Sequence, residues 1–99
     1  MQAKNIKLVL CTPAVIGERN DYTNQQDGDL NYYSVLVRNL SKKFNCDVLD
    51  FRTIFHNYEL ANNPENKESG ILTIDRIHLN DDGNKLVADE ALKVLTNNK

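Results

Sequence analysis

The chain has no long apolar run and only two cysteines. Its longest uninterrupted apolar run is Leu8–Cys11, whereas a helix that crosses a bilayer needs about 20 apolar residues. No apolar stretch follows Met1–Lys4, so the sequence predicts no signal peptide. Cys11 and Cys46 make no disulfide framework, and their apolar surroundings predict buried free thiols. A cytoplasmic location follows if the chain is complete; a piece of a longer chain would have lost any signal, so the location stays open.

An excess of charge of one sign is also absent. The 99 residues carry a net charge of −2, with 26% charged and 40% hydrophobic residues. This balance predicts neither a basic surface for nucleic acid nor a polybasic surface for anionic lipid. The length predicts one small domain over residues 1–99, with a modest core.

The first half of the chain predicts a strand, a helix and a second strand. Residues 6–11 and 46–50 are short runs typical of strands, and residues 12–29 form a long loop. Asp29 is expected to cap a helix that runs to Phe44. Its apolar face, expected to be buried, comprises Leu30, Tyr33, Val37, Leu40 and Phe44. This order of elements predicts two parallel strands.

The second half predicts two more helices. Residues 51–60 favour a short helix, residues 62–67 a polar break, and Asn80–Asp82 the start of a last amphipathic helix. The predicted fold class is therefore α/β, with a partial parallel sheet and three helices. Two strands alone do not make a stable parallel sheet, and residues 6–11 are too apolar for an open edge. We therefore expect either a second copy to pair with this edge or a neighbouring segment to be missing.

Asp75 stands three residues before His78, just ahead of the last helix. This spacing lets both side chains lie on one side of a turn, where the carboxylate would orient the imidazole as a general base. The same spacing also arises by chance, with Asp75 capping a turn and His78 on the surface. A metal site is not predicted, because His56 lies on a different helix and completes no set of three ligands.

The residues around this pair, TIDRIHLNDDGN (73–84), resemble the last sequence block of the SGNH (GDSL) esterase/lipase superfamily. Three earlier segments follow the order of that family's second half: CTPAVIGE (11–18), NYYSVLVRNL (31–40) and CDVLDFRTIF (46–55). The resemblance implies a flavodoxin-like, three-layer α/β/α fold. It implies hydrolysis of acyl or acetyl esters by a Ser-His-Asp triad, without a metal or other cofactor. His78 matches the family's general base, and Asp75 matches the acid that orients it.

The family's Gly-Asp-Ser nucleophile block is not found in this sequence. Gly28-Asp29 is followed by Leu30, while the candidate serines lie in the first helix (Ser34, Ser41) and in a turn (Ser69). The resemblance therefore predicts the C-terminal part of a serine esterase. Such a part would be inactive alone, and would self-associate or pair with a missing N-terminal half.

Two alternatives stay open at this point. Cys11, at the carboxyl end of the first strand, could form a nucleophile–base dyad with His78, although a buried, inert thiol is expected. The chain could also be a non-catalytic α/β assembly module that oligomerises through its open strand edge. Glu18 and Arg19, in the loop after the first strand, are expected to be exposed loop charges rather than pocket residues.

Overall fold

The computed structural model describes residues 8–96, which form two strands and three helices. The order is β1 (Val9–Cys11), α1 (Asp27–Phe44), β2 (Asp47–Leu49), α2 (Phe51–Asn62) and α3 (Asp81–Thr96). The strands are parallel, and Leu10 lies opposite Val48. The predicted α/β class, with a two-stranded parallel sheet and three helices, is confirmed. Residues 6 and 7 of the predicted first strand lie outside the described residues.

Helix α1 begins earlier than the sequence predicted. Asp29 does not cap it; the N-cap is Gln26, and Asp27 and Asp29 both lie in the first turn, where the helix dipole favours acidic side chains. The reason for the early start is Asp27, whose carboxylate accepts hydrogen bonds from the Asn24 backbone N–H (2.9 Å) and from Arg52 (2.6 Å). The helix ends at Phe44, and its C-cap, Asn45, adopts a left-handed conformation (φ 54°).

The apolar face of α1 is largely exposed: Leu30 and Val37 are half-buried, and its other three residues are exposed. Tyr33, predicted to be a core residue, is 56% exposed, and Leu40 and Phe44 are exposed as well. The helix instead buries two serines, Ser34 and Ser41, whose hydroxyls donate to backbone carbonyls. Within residues 8–96, β1, β2 and α2 contact α1 but leave Tyr33, Leu40 and Phe44 exposed, so the prediction of a fully buried face was wrong. Even so, none of the helices in this range is long and apolar enough to cross a membrane.

The buried interior of the described chain is mainly polar. Its fully buried hydrophobic residues are Leu49, Phe55 and Leu72. The buried polar and charged set is larger and includes Glu18, Asp27, Arg52, Glu59, Asn63 and Thr73. A buried polar group is tolerated when it is hydrogen-bonded. The interior is therefore organised by specific hydrogen bonds as much as by apolar packing.

Asp50 joins three elements at the carboxyl end of the sheet. Its side chain accepts from the Thr53 N–H and so caps α2. It also accepts two hydrogen bonds from Arg38 of α1 (2.9 and 3.0 Å) and one from the Thr12 hydroxyl after β1 (2.8 Å). Burial raises the pKa of Asp50, but the bonds from Arg38, Thr12 and Thr53 outweigh burial and lower the pKa to about 2.

We expect Asp50→Asn to lower the free energy of unfolding at pH 7 by about 2 kcal/mol, because it weakens several hydrogen bonds to a charged group. The pKa of Asp50 in the folded chain lies below its ordinary value of 3.8. The contribution of Asp50 is therefore present above about pH 4 and is lost as the pH falls towards about 2. Urea unfolding followed by circular dichroism at neutral pH and at about pH 2.5 measures both effects.

The matched control is Asp89→Asn, which removes the exposed Lys85–Asp89 pair (2.8 Å) within α3. An exposed pair of this kind contributes about 0–0.5 kcal/mol. Equal losses in the two variants, or an Asp50→Asn chain that loses as much stability in acid as the wild type, would contradict the role given to Asp50.

Candidate active site

Asp75 and His78 contact each other directly at the tip of the loop before α3. The Asp75 carboxylate lies 2.7 Å from His78 Nδ1. Its other oxygen accepts from the backbone N–H groups of His78 (2.8 Å) and Ile77 (3.1 Å). The backbone bond from His78, followed by the bond to its ring, lowers the pKa of Asp75 to about 2. Asp75 is therefore a carboxylate at neutral pH and can only accept hydrogen bonds.

This contact fixes the orientation of the imidazole. Because Asp75 is ionised, Nδ1 of a neutral His78 donates to it, and Nε2 is left unprotonated and able to take a proton. The His78 side chain is 76% exposed, so Nε2 is accessible to a group outside the described residues. Capping of the turn and orientation of the ring are not exclusive here, since Asp75 bonds both the turn amides and the His78 ring.

The loop that carries the pair is closed on itself by backbone hydrogen bonds. Thr73 forms an antiparallel bridge with Leu79, and the Ile74 N–H donates to the His78 carbonyl (2.8 Å). The Arg76 N–H donates to the Thr73 hydroxyl (3.0 Å), which holds the turn between Asp75 and His78. The positions of Asp75 and His78 therefore depend on the position of Thr73.

The side chain of Glu18 holds the start of this loop, residues 71–73, through hydrogen bonds. It is 0% exposed, and its carboxylate accepts from the N–H groups of Ile71 (3.2 Å), Leu72 (2.6 Å) and Thr73 (3.0 Å). A fourth bond comes from the Thr73 hydroxyl (2.6 Å). The prediction that Glu18 is an exposed loop charge is wrong. A buried acid and an exposed one look alike in a single sequence, and the donors that hold Glu18 are groups 53 to 55 residues away.

Glu59 of α2 lies beside Glu18 and is 1% exposed. Burial, and then the neighbouring Glu18, raise the pKa of Glu59 to about 9. Neither of its oxygens has a hydrogen-bond partner that meets normal geometry within residues 8–96, and a buried carboxyl without donors around it favours the neutral, protonated form. Burial also raises the pKa of Glu18, but the bonds from Glu59 and Thr73 outweigh burial and leave that pKa lowered.

Helix α3 packs closely on the same loop. The Asn80 side chain accepts from the Gly83 N–H (2.8 Å), as expected for a helix start, and donates to the Ile71 carbonyl (3.1 Å). A Cβ atom at Gly83 would collide with the carbonyl oxygen of Leu72. Glycine at this position therefore lets α3 approach the segment that Glu18 holds.

The other candidate residues do not join the site. Ser34 and Ser41 are buried in α1 and bonded to backbone carbonyls. Cys11 is exposed, not buried as predicted, because no described segment covers that end of β1. His56 stacks on Tyr22 with ring centroids 4.3 Å apart. Within residues 8–96, no hydroxyl or thiol hydrogen-bonds His78, and no cluster of three possible metal ligands is found.

Two of three comparisons with known proteins gave a match. Residues 1–91 match the family model described as GDSL-like Lipase/Acylhydrolase. Among solved structures, the crystal structure of the acetyl xylan esterase AlAXEase matches with a TM-score of 0.90 and 56% sequence identity, over 92% of this chain and 46% of that chain. A search of curated proteins gave no match. The chain thus spans about half the length of the solved esterase.

We expect Gly83→Ala to lower the free energy of unfolding by about 1–3 kcal/mol, the usual cost of forcing atoms into a packed site. It should also shift the backbone amide resonances of Leu72 and His78, because the loop has to move. Urea unfolding and a ¹H–¹⁵N correlation spectrum measure the two effects.

Gly28→Ala is the matched control, since Gly28 also lies in a helix and nothing lies within 4 Å of the position that a Cβ would take there. Alanine there should raise stability by about 0.5–1 kcal/mol through helix propensity alone. A Gly83→Ala variant that gains stability as Gly28→Ala does would contradict the close approach of α3 to Leu72.

Proposed function

Since the chain belongs to the GDSL-like lipase/acylhydrolase family, we propose that it is the C-terminal part of a serine esterase. In this proposal His78 is the general base and Asp75 is the acid that orients it. The observation that carries the assignment is the 2.7 Å contact between Asp75 and His78 Nδ1, with the ring exposed at the loop tip. The substrates proposed are acyl esters. Acetyl esters of carbohydrates are favoured among them, because the matched structure is an acetyl xylan esterase.

The chemistry assigned to this chain is proton transfer. A serine hydroxyl supplied by the rest of the enzyme would attack the ester carbonyl while His78 Nε2 takes its proton. The Asp75 carboxylate would stabilise the imidazolium that forms. His78 would then return the proton to the leaving alcohol, and the same steps with water would release the acid. The sequence holds no Gly-Asp-Ser block, so the nucleophile and the oxyanion donors are assigned to a part outside these residues.

A non-catalytic assembly module is the second candidate. The observation that favours it is the set of large apolar side chains left exposed on α1, among them Tyr32, Tyr33, Leu36, Leu40 and Phe44. Exposed apolar patches of this kind mark interaction surfaces. Both proposals expect the isolated chain to be inactive as an esterase. They differ in whether His78 acts as a general base in the complete protein.

A chimera tests the esterase proposal. Residues 8–96 of this chain would replace the matching segment of the solved acetyl xylan esterase, whose identity of 56% favours correct folding. We expect the chimera to release acetate from acetylated xylan. His78→Ala should lower kcat by at least about 10³-fold, and Asp75→Asn by about 10²–10⁴-fold, because the base is lost or wrongly oriented.

His56→Ala is the matched control in the chimera, because His56 stacks on Tyr22 and does not contact Asp75. It should change kcat by less than about tenfold, a factor that corresponds to about 1.4 kcal/mol. A folded chimera whose rate is the same with and without His78 would overturn the proposed role of this residue.

The chain alone should not hydrolyse p-nitrophenyl acetate in a way that depends on His78. Removing a nucleophile leaves a base with nothing to activate, so wild type and His78→Ala should give equal background rates. Rates measured by absorbance at equal protein concentration check this. A rate that falls in both His78→Ala and Cys11→Ser would instead establish the Cys11–His78 dyad.

We also expect the isolated chain to self-associate at micromolar concentration. The outer edge of β1 has no strand beside it within the described residues, and edges of this kind pair with other chains. Light scattering should give a mass above that of the monomer, and Cys11→Lys should lower it by placing a charge on the edge. Lys85→Gln, on the polar side of α3, is the control. A clean monomer in the wild type would contradict the expectation.

A further inference from the structure

The buried pair of Glu18 and Glu59 lies beneath the loop that carries His78. We propose that Glu18 is a positioning residue for His78, and that it does so as half of a carboxyl pair that shares one proton with Glu59. The part of this inference that gives His78 a catalytic task rests on the proposed function. The structural part, that Glu18 sets the geometry of the Asp75–His78 turn, stands on the hydrogen bonds between Glu18 and residues 71–73 and between Thr73 and Arg76.

The path from Glu18 to His78 consists of two short steps. Glu18 accepts both from the Thr73 N–H and from the Thr73 hydroxyl. Since a carboxylate has no proton to give, the hydroxyl must donate to it, and its lone pairs are then available to the Arg76 N–H. That second bond holds the turn between Asp75 and His78. Glu18 therefore fixes the direction of the bond that shapes the turn.

Both oxygens of Glu18 are needed as acceptors. One accepts from the Leu72 N–H, and the other from the N–H groups of Ile71 and Thr73 and from the Thr73 hydroxyl. A glutamine at this position would turn its NH₂ group towards at least one backbone N–H, which leaves a buried donor without a partner. Isosteric replacement of Glu18 should therefore disturb the loop, although its shape is kept.

Glu59 behaves in the opposite way. Its carboxyl faces the carboxylate of Glu18, so a proton on Glu59 removes the repulsion between two negative charges. The NH₂ group of a glutamine can donate in place of that proton. Burial and the charge of Glu18 raise the pKa of Glu59 to about 9. Replacement of Glu59 by glutamine should therefore preserve the loop and fix the pair in its protonated state.

The surrounding charges do not neutralise the pair. The titratable and charged groups around the cavity beside Glu59 are Arg19, Tyr22, Asp27, Arg52 and His56. Arg52 donates to Asp27, Asn31 and the Ala14 carbonyl, and Arg19 pairs with Glu68 (3.8 Å). Burial, and then the charge of Arg52, lower the pKa of His56. Among the described residues, therefore, no cation pairs with Glu18 or Glu59, and a shared proton takes the place of a counter-ion.

The pair gives the loop a defined pH range. The pKa of Glu59 is raised in the folded chain, so the stabilisation by its proton declines as the pH rises from 4.5 towards about 9. The pKa of Glu18 is lowered, so its contribution is lost in acid, below its ordinary value of 4.5. Between these limits one carboxylate and one carboxylic acid hold residues 71–73. Above about pH 9 two carboxylates face each other and should loosen the loop.

The test is nuclear magnetic resonance on the 99-residue chain, comparing wild type, Glu18→Gln, Glu59→Gln and Glu68→Gln. Glu68 is exposed and pairs with Arg19 and Arg76 at 3.8 and 3.9 Å, so Glu68→Gln is the control for loss of a charge near the loop. Long-range ¹H–¹⁵N spectra report which nitrogen of the neutral His78 ring carries the proton. Amide hydrogen exchange reports how firmly Leu72, Thr73 and Arg76 are held.

At about pH 8 we expect wild type, Glu59→Gln and Glu68→Gln to show the proton on His78 Nδ1 and slow exchange at Leu72 and Thr73. Glu18→Gln should exchange at least about tenfold faster at these amides and should shift the His78 proton towards Nε2. In the wild type the amides of Leu72 and Thr73 should titrate together in the alkaline range, and this transition should be absent in Glu59→Gln.

Three results would overturn the proposal. The first is a folded Glu18→Gln variant with the wild-type His78 tautomer, which would make Glu18 a packing residue only. The second is loosening of the loop in Glu59→Gln, and the third is persistence of the alkaline transition in that variant. If Glu18→Gln does not fold, the Glu59→Gln results decide. None of these measurements uses ester hydrolysis. The chimera can therefore contradict the proposed function while this inference holds, and the spectra can contradict this inference while the proposed function holds.

Discussion

The buried carboxylate of Glu18 is the contact on which the rest of the site depends. It gathers three consecutive backbone amides and one hydroxyl from residues 71–73. These groups would otherwise be buried donors, each of which costs free energy when it has no partner. By satisfying them together, Glu18 ties the loop after β1 to the loop before α3. The closed turn with Asp75 and His78 rests on this junction, and α3 packs against it through Gly83.

Polar contacts carry so much of this structure because the apolar core of the described residues is small. Leu49, Phe55 and Leu72 form its fully buried part, while a row of large apolar side chains on α1 remains exposed. In an α/β fold such faces are normally covered by further layers. The chain matches about half of a solved esterase, at a TM-score of 0.90. The buried polar groups of residues 71–73 have hydrogen-bond partners within this chain. The edge of β1, by contrast, has no neighbouring strand among the described residues, and large apolar side chains of α1 are exposed.

The sequence predicted the elements better than it predicted their surroundings. Periodicity and end signals indicated the helices and parallel strands, because these depend on local spacing. The start of α1 was misplaced since Asp27 is held by Arg52, which lies 25 residues away. Tyr33 and Cys11 were predicted to be buried because a pattern shows which face is apolar, not whether a partner layer is present. The burial of Glu18 and Glu59 was not predicted for a related reason. The contacts that bury them come from residues distant in the sequence, and no local motif indicates them.

The Asp75–His78 pair could be recognised from the sequence because its geometry is local. Both residues lie in one turn, and the bonds that shape that turn come from residues 73–78. In the proposed esterase a serine nucleophile differs in this respect, since it would have to be brought to Nε2 by the packing of distant segments. A short loop can orient an imidazole through its own hydrogen bonds, whereas the meeting of two distant side chains depends on tertiary packing. Under the proposed function, this chain would therefore hold an oriented base and depend on another part of the enzyme for the nucleophile.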